Sequence, residues 1–357
     1  MAYISFQPKD HFNTILNTGD GTTNKSFTGV GFQPDLVWNK IRSTTYSHWL
    51  YDAVRGAGAE KEISSNTTTA EGGNDNQIYG YISSFDSDGF SVTGSSNSAY
   101  FNQNNETYVN WNWKANGQGS SNTDGSINTT YTSASTTSGF SISSYNGNGN
   151  VGATVGHGLG AVPTMIIVKR LNGASDWMVY HVKIGNNYRL RLNEDAAEQD
   201  NPVWNDTTPT SSVFYMNDNG DANASGGTYV AYCFSDVKAF SKMGTYKGNG
   251  NATNPAFIYT GFKPAFVMLK VSSTTDSWNM YDNRRLGYNG TGARLRANIT
   301  NAEDTGTEYQ TCDFYSNGFA PRGTDTTSNG SGKIYVYMAF AEAPFVNSSG
   351  IPATARV

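Results

Sequence analysis

Apolar and polar positions alternate in short runs along this chain, with the period of an extended strand. In "TYVAYCF" (228–234), Val230, Tyr232 and Phe234 fall on one face and Tyr229, Ala231 and Cys233 on the other. Both faces are apolar, which predicts a central strand covered on each side. The runs "DLVW" (35–38), "TMIIV" (164–168) and "PAFVML" (264–269) predict further buried strands. Aromatic segments that run into Asp/Asn-Gly pairs, "FDSDGF" (85–90), "FYMNDNG" (214–220) and "FYSNGF" (314–319), predict strand ends at tight turns. Only "NEDAAEQD" (193–200) suits one or two helical turns.

These elements recur in one order. "GFQPDLVWNK" (31–40), "GLGAVPTMIIVK" (158–169) and "GFKPAFVMLK" (261–270) each place a proline ahead of an apolar strand. Proline cannot donate to a ladder, so it fits a strand's first position. Six residues after Pro34, Pro163 and Pro264 stand Lys40, Lys169 and Lys270, read as strand ends reaching solvent. Seventeen residues after the prolines stand Tyr51, Tyr180 and Tyr281, each preceded by a tryptophan, Trp49, Trp177 or Trp278, and followed by Asp52, His181 or Asp282. "TYVNWNWKAN" (107–116), "TYVAYCFSDV" (228–237) and "IYVYMAFAEA" (334–343) close the three copies. A repeat of roughly a hundred residues is the size of a β-sandwich domain. The expected fold is therefore all-β: three tandem β-sandwich units, jelly-roll or concanavalin-like, with very little helix. The expected layout is an N-terminal arm (1–11), repeats at 12–117, 139–242 and 243–347, a polar linker (118–138) and a C-terminal tail (348–357). A linker with almost no apolar content predicts a mobile first unit beside a rigid second–third pair.

Composition agrees. Only 15% of the residues are charged, the net charge is -5, and 39 Gly, 22 Tyr and 18 Phe fill the space that Lys, Glu and Leu take in helical proteins. A mildly acidic chain without a basic cluster argues against a nucleic-acid partner. Its apolar runs are too short to span a bilayer as helices, and "MAYISFQPKDHF" lacks the apolar core of a signal peptide. Cys233 and Cys312 lie in apolar strands and read as buried reduced thiols.

Little in the sequence points to catalysis. His11, His48, His157 and His181 fall in no metal-binding spacing, and no nucleophile elbow, phosphate loop or recurring carboxylate pair is present. Asp86 and Asp88 suit a calcium site in the first unit, although the parallel segments lose both carboxylates. The recurring Trp49, Trp177, Trp278, Tyr51, Tyr180 and Tyr281 have two readings, sandwich core or a platform for ligand stacking. No cofactor and no enzymatic activity are expected.

Several segments, among them "YISFQPKDHFNT", "TGVGFQPDLVWNK", "LYDAVRG", "VWNDTTPTSSVF", "NASGGTYVAYCFSDV" and "SKMGTYKGNGN", resemble a family of marine bacteriophage proteins labelled tail-fibre-like or structural. The resemblance runs from about Tyr3 to Phe345. It implies a virion component, assembled in the host cytoplasm beside other tail or capsid proteins, and it supplies no catalytic residues. A receptor-binding tail component that contacts host surface polysaccharide is the first expectation, and a head decoration or spike is the second. A polysaccharide depolymerase comes third, for want of a recurring acid pair. A homo-oligomer is expected, trimers being common among phage appendages.

Overall fold

A computed structural model describes residues 7–345 apart from 75, 95–98, 286–288, 290–292 and 306–311. Residues 1–6 of the expected arm and the whole expected tail lie outside the described residues. Each third of the chain builds an antiparallel sheet, of four, seven and five strands in turn, around four strands in one spatial order: first strand, closing strand, proline strand, Trp/Tyr strand. In unit 1 these are Phe12–Thr18, Thr107–Trp113, Leu36–Ile41 and Trp49–Asp52. In unit 2 they are Phe140–Asn146, Thr228–Phe234, Met165–Arg170 and Met178–His181. In unit 3 they are Ser241–Lys247, Ile334–Pro344, Phe262–Val271 and Asn279–Asp282. A smaller antiparallel sheet accompanies each: Asn24–Thr28, Gly89–Thr93 and Tyr81–Asp86 in unit 1, Ala153–Gly156 and Val213–Met216 in unit 2, and Ile258–Tyr259, Gly318–Pro321 and Cys312–Tyr315 in unit 3. Among the described residues the α-helices are two four-residue pieces, Asn76–Tyr79 and Gly220–Asn223.

In units 1 and 2 the two apolar faces of the large sheet serve different cores, while in unit 3 both faces belong to one. One face packs on the unit's own small sheet: Val37, Trp49 and Tyr51 meet Phe27, Ile82 and Phe90 in unit 1, and Ala231, Cys233 and Tyr180 meet Val155, Phe214 and Met216 in unit 2. The opposite faces of all three sheets share one core that holds Trp38, Trp111 and Trp113, then Ile167, Tyr232 and Phe234, then Phe266, Met268 and Phe340. This division explains why the closing strands read apolar on both sides. The rings of Trp113 and Phe340 lie 5.7 Å apart, and those of Phe234 and Phe340 5.9 Å apart. The hole among these side chains is about 10 Å³, room for a single water at most, so the centre is packed rather than a channel.

Two local expectations are overturned. The polar stretch 118–138 is not a free linker. Thr129–Ser135 forms a seventh strand on the unit 2 sheet, and Ser120 exchanges backbone hydrogen bonds with Thr132 at 2.6 and 3.2 Å. Its buried positions are hydroxyls, Thr129, Thr132 and Ser133, and they find partners such as Ser143 Oγ, 3.0 Å from Thr132 Oγ1. Burial of a hydrogen-bonded hydroxyl costs little, so a strand can be built without apolar side chains. "NEDAAEQD" likewise forms no helix, and ends in the short strand Gln199–Asp200.

Candidate functional site

The three units meet along seams made by the repeated residues. Each proline strand ends at a buried lysine, not at a solvent-facing one as expected. Lys40 Nζ donates to Ile41 O at 2.7 Å and to Thr300 O at 3.2 Å. Lys169 Nζ donates to Ser175 O at 2.7 Å and to Thr68 O at 2.9 Å. Lys270 Nζ donates to Val271 O at 2.7 Å and to Asp195 O at 3.1 Å. One acceptor of each lysine belongs to another unit, so unit 1 reaches unit 3, unit 2 reaches unit 1 and unit 3 reaches unit 2. The ring is closed. Burial lowers the ammonium pKa of Lys40 to about 7 and those of Lys169 and Lys270 to about 8.

Other repeated contacts follow the same cycle. Trp177 Nε1 donates to Ser64 O at 2.9 Å, and Trp278 Nε1 donates to Arg191 O at 2.8 Å. The matching residue of unit 1 is His48 rather than Trp49. It stands fourteen residues after Pro34, as Trp177 and Trp278 stand after Pro163 and Pro264. Its Nε2 lies 2.9 Å from Arg296 O. Trp38 Nε1 donates to His48 Nδ1, so Nε2 carries the imidazole proton and donates across the seam. The backbone N–H groups of His48, Trp177 and Trp278 donate to the Oδ1 atoms of Asn66, Asn193 and Asn298.

The residue after each repeated tyrosine crosses a seam too. Asp52 accepts from Tyr232 Oη at 2.7 Å, Asp282 accepts from Trp111 Nε1 at 3.0 Å, and His181 Nε2 lies 3.2 Å from Tyr337 O. Asp52 and Asp282 also bind buried guanidinium groups, Arg55 and Arg285, which reach Glu71 at 3.0 Å and Glu303 at 2.9 Å. Arg42 adds a forked pair to Glu303, and Arg285 lies 5.4 Å from the centre of the Trp111 ring. Unit 2 has His181 and Ile184 where its neighbours have Asp and Arg. Burial lowers the His181 pKa to about 4, so this contact is neutral where the two matching contacts are ionic.

None of the six repeated aromatics forms a platform. Trp49, Trp177, Trp278, Tyr51, Tyr180 and Tyr281 are all at most 2% exposed. Trp49 packs within unit 1, 4.2 Å from the Tyr100 ring, and Tyr51 Oη accepts from Asn76. Asp86 accepts from the Ser84 and Ser91 hydroxyls at 2.7 and 2.6 Å, and Asp88 accepts from the backbone N–H groups of Gly29 and Gly31 at 3.1 and 2.6 Å. The carboxylate oxygens thus face donors that stitch the turn, which is the wrong end of a dipole for a cation. No group of three or more His, Cys, Asp or Glu suited to a metal occurs among the described residues. Cys233 and Cys312 are buried free thiols, and burial pushes both pKa values up.

Sequence reasoning missed His48, Arg55 and Arg285, and the seam glutamates Glu71 and Glu303. A strict count from each proline would have found the first three, because Arg55 and Arg285 both stand twenty-one residues after theirs.

Among the described residues no helix is long and apolar enough to cross a membrane. A family model described as a domain of unknown function (DUF7483) matches residues 7–344. No curated protein and no solved structure matches the chain.

Proposed function

From a chain that belongs to the DUF7483 family over nearly its whole length, we propose a non-enzymatic structural component displayed on the surface of a bacteriophage particle. Its three units are read as sandwiches of the jelly-roll or concanavalin-like kind. The observation that carries this reading is the closed ring. Residues repeated three times form seams and core, and none of them gathers around a cleft. Buried lysines bonded across the seams, with the Arg42–Glu303 pair, hold a shape, and shape is what a virion component supplies. The resemblance of the repeated segments to marine phage proteins supports the virion setting, with other tail or capsid proteins as partners.

Two positions on the particle fit this reading. A tail-borne component that contacts host polysaccharide needs an exposed binding face, which the six repeated aromatics do not provide. A head decoration needs only a durable surface, and the burial of Trp49, Trp177 and Trp278 favours it to that extent. Quantitative mass spectrometry of purified particles tests the proposal and separates the two. A low copy number indicates the tail, and a copy number matched to the capsid lattice indicates the head. Absence from the particles would sink the proposal.

A further inference from the structure

The outer face of the small sheet differs between units 1 and 3, although the strand pairing is the same. Ile258 opposite Phe319 repeats Phe27 opposite Phe90, and Tyr259 opposite Gly318 repeats Thr28 opposite Gly89. Phe257 therefore stands where unit 1 has Ser26, and Tyr259 where it has Thr28. Tyr315, opposite Gly318, stands where unit 1 has Asp86 opposite Gly89. Unit 1 presents hydroxyls and a carboxylate here: Ser26 and Ser91 lie 2.8 Å apart, and Ser91 donates to Asp86. Unit 3 presents aromatic rings. Phe257 is 50% and Tyr259 56% exposed, and Phe257 meets Tyr315 edge-on at 5.7 Å. The fold does not require these rings, because unit 1 builds the same sheet with serine and threonine.

The rings border an open groove of about 390 Å³ at the seam with unit 2, within the range of small-ligand sites. Lys183 and Asp236 line it from unit 2, and Lys242 and Thr245 from unit 3. Lys242 Nζ donates to Tyr259 O at 2.7 Å and lies 5.5 Å from the centre of that ring, which steadies the aromatic wall. Asp236 Oδ1 already accepts from Met243 N and Thr164 Oγ1, both at 2.9 Å. Two ammonium groups against one carboxylate leave the groove locally positive. Exposed rings beside a hydroxyl and cations suit the apolar face, hydroxyls and acid group of a charged sugar.

We propose that this groove binds a uronic-acid pyranoside of a surface polysaccharide, its ring face on Tyr259 and Phe257 and its carboxylate toward Lys183. The proposal deepens the surface-display reading, on which its biological meaning rests. Isothermal titration of the full chain with galacturonate oligosaccharides, beside malto-oligosaccharides of equal length, tests it. The acidic sugar is expected to bind, more weakly as salt rises, and the neutral one to bind at least roughly tenfold less tightly. The double variant Phe257→Ser/Tyr259→Thr installs unit 1's own residues and should lose roughly tenfold or more in affinity at unchanged Tm. Lys183→Gln should weaken only the acidic ligand. No binding of the acidic sugar, equal affinity for the neutral one, or variants that bind like the parent would overturn the site. So would self-association that the double variant abolishes without saccharide binding, since the face would then be a contact between copies. Binding by a chain absent from virions would leave the site standing and remove the display reading; presence in virions without binding would do the reverse.

Discussion

A lysine buried under a neighbouring unit gives this fold a dependence on pH that can be worked out. Lys40, with a folded pKa of about 7, and Lys169 and Lys270, at about 8, lie below the ordinary lysine value of 10.5. Between those values and 10.5 the unfolded chain binds more protons than the folded one, so stability rises with pH. Below the folded pKa both states are protonated and the burial penalty is felt in full. Urea unfolding midpoints should therefore climb from pH 7 to about 9.5, and the climb should shrink in Lys169→Met. At neutral pH that variant loses the donor to the Ser175 carbonyl, at a cost of about 1–3 kcal/mol, while Thr68 O keeps the Ser175 N–H and the penalty of a buried ammonium is lifted, so the parent should gain on the variant as pH rises. A flat profile in the parent chain would refute the assignment. The lysines themselves were legible as repeated positions, but their burial was not. A strand-end lysine points to water in a lone sandwich, and only the neighbour's loop converts it into a seam residue. His48 was hidden for a different reason: imidazole and indole share little except an N–H that can reach the same carbonyl.

At the scale of elements, strands whose two faces alternate were readable from the chain wherever those faces were apolar. The segment 118–138 was not, because its strand hides hydroxyls in place of hydrocarbon. Thr129, Thr132 and Ser133 satisfy one another and their neighbours, and hydrophobic periodicity carries no trace of such a strand. The seam loops were opaque for a similar reason. Asn66, Asn193 and Asn298 look like turn residues, yet each holds the start of a hairpin through a side-chain oxygen. Because the supposed linker is paired on both sides, a broad-specificity protease should leave 118–138 uncut under native conditions. Mass spectrometry of the digest checks this, and early cleavage there would restore the picture of a freely moving first unit.

On the scale of the whole molecule, the three thirds share a core and are not beads on a string. Unit 2 meets unit 3 without the buried Asp–Arg pair found beside the other two seams, but the short connection between Phe234 and Ser241 joins them. No segment joins unit 3 back to unit 1, and there Arg42, Arg285, Glu303 and Asp282 converge. Among the described residues, the ion pair that joins two units, Arg42–Glu303, lies where the peptide link is absent. Removing Trp177, which fills the shared core and bonds to Ser64, should therefore weaken all three units together. Trp177→Ala should lower a single calorimetric transition, at a cost of about 3–5 kcal/mol. Three separable transitions in the parent protein would refute the common core. The turn Pro8–Asp10 packs against the strand Ile334–Pro344, and the rings of Phe12 and Phe340 stack at 5.2 Å. The two ends of the described ring thus stand side by side, much as Phe234 and Ser241 do at the covalent junction. The fold consequently has no intrinsic first unit. A circularly permuted gene, opened between units 1 and 2 and joined across the ends of the described ring, should specify the same object.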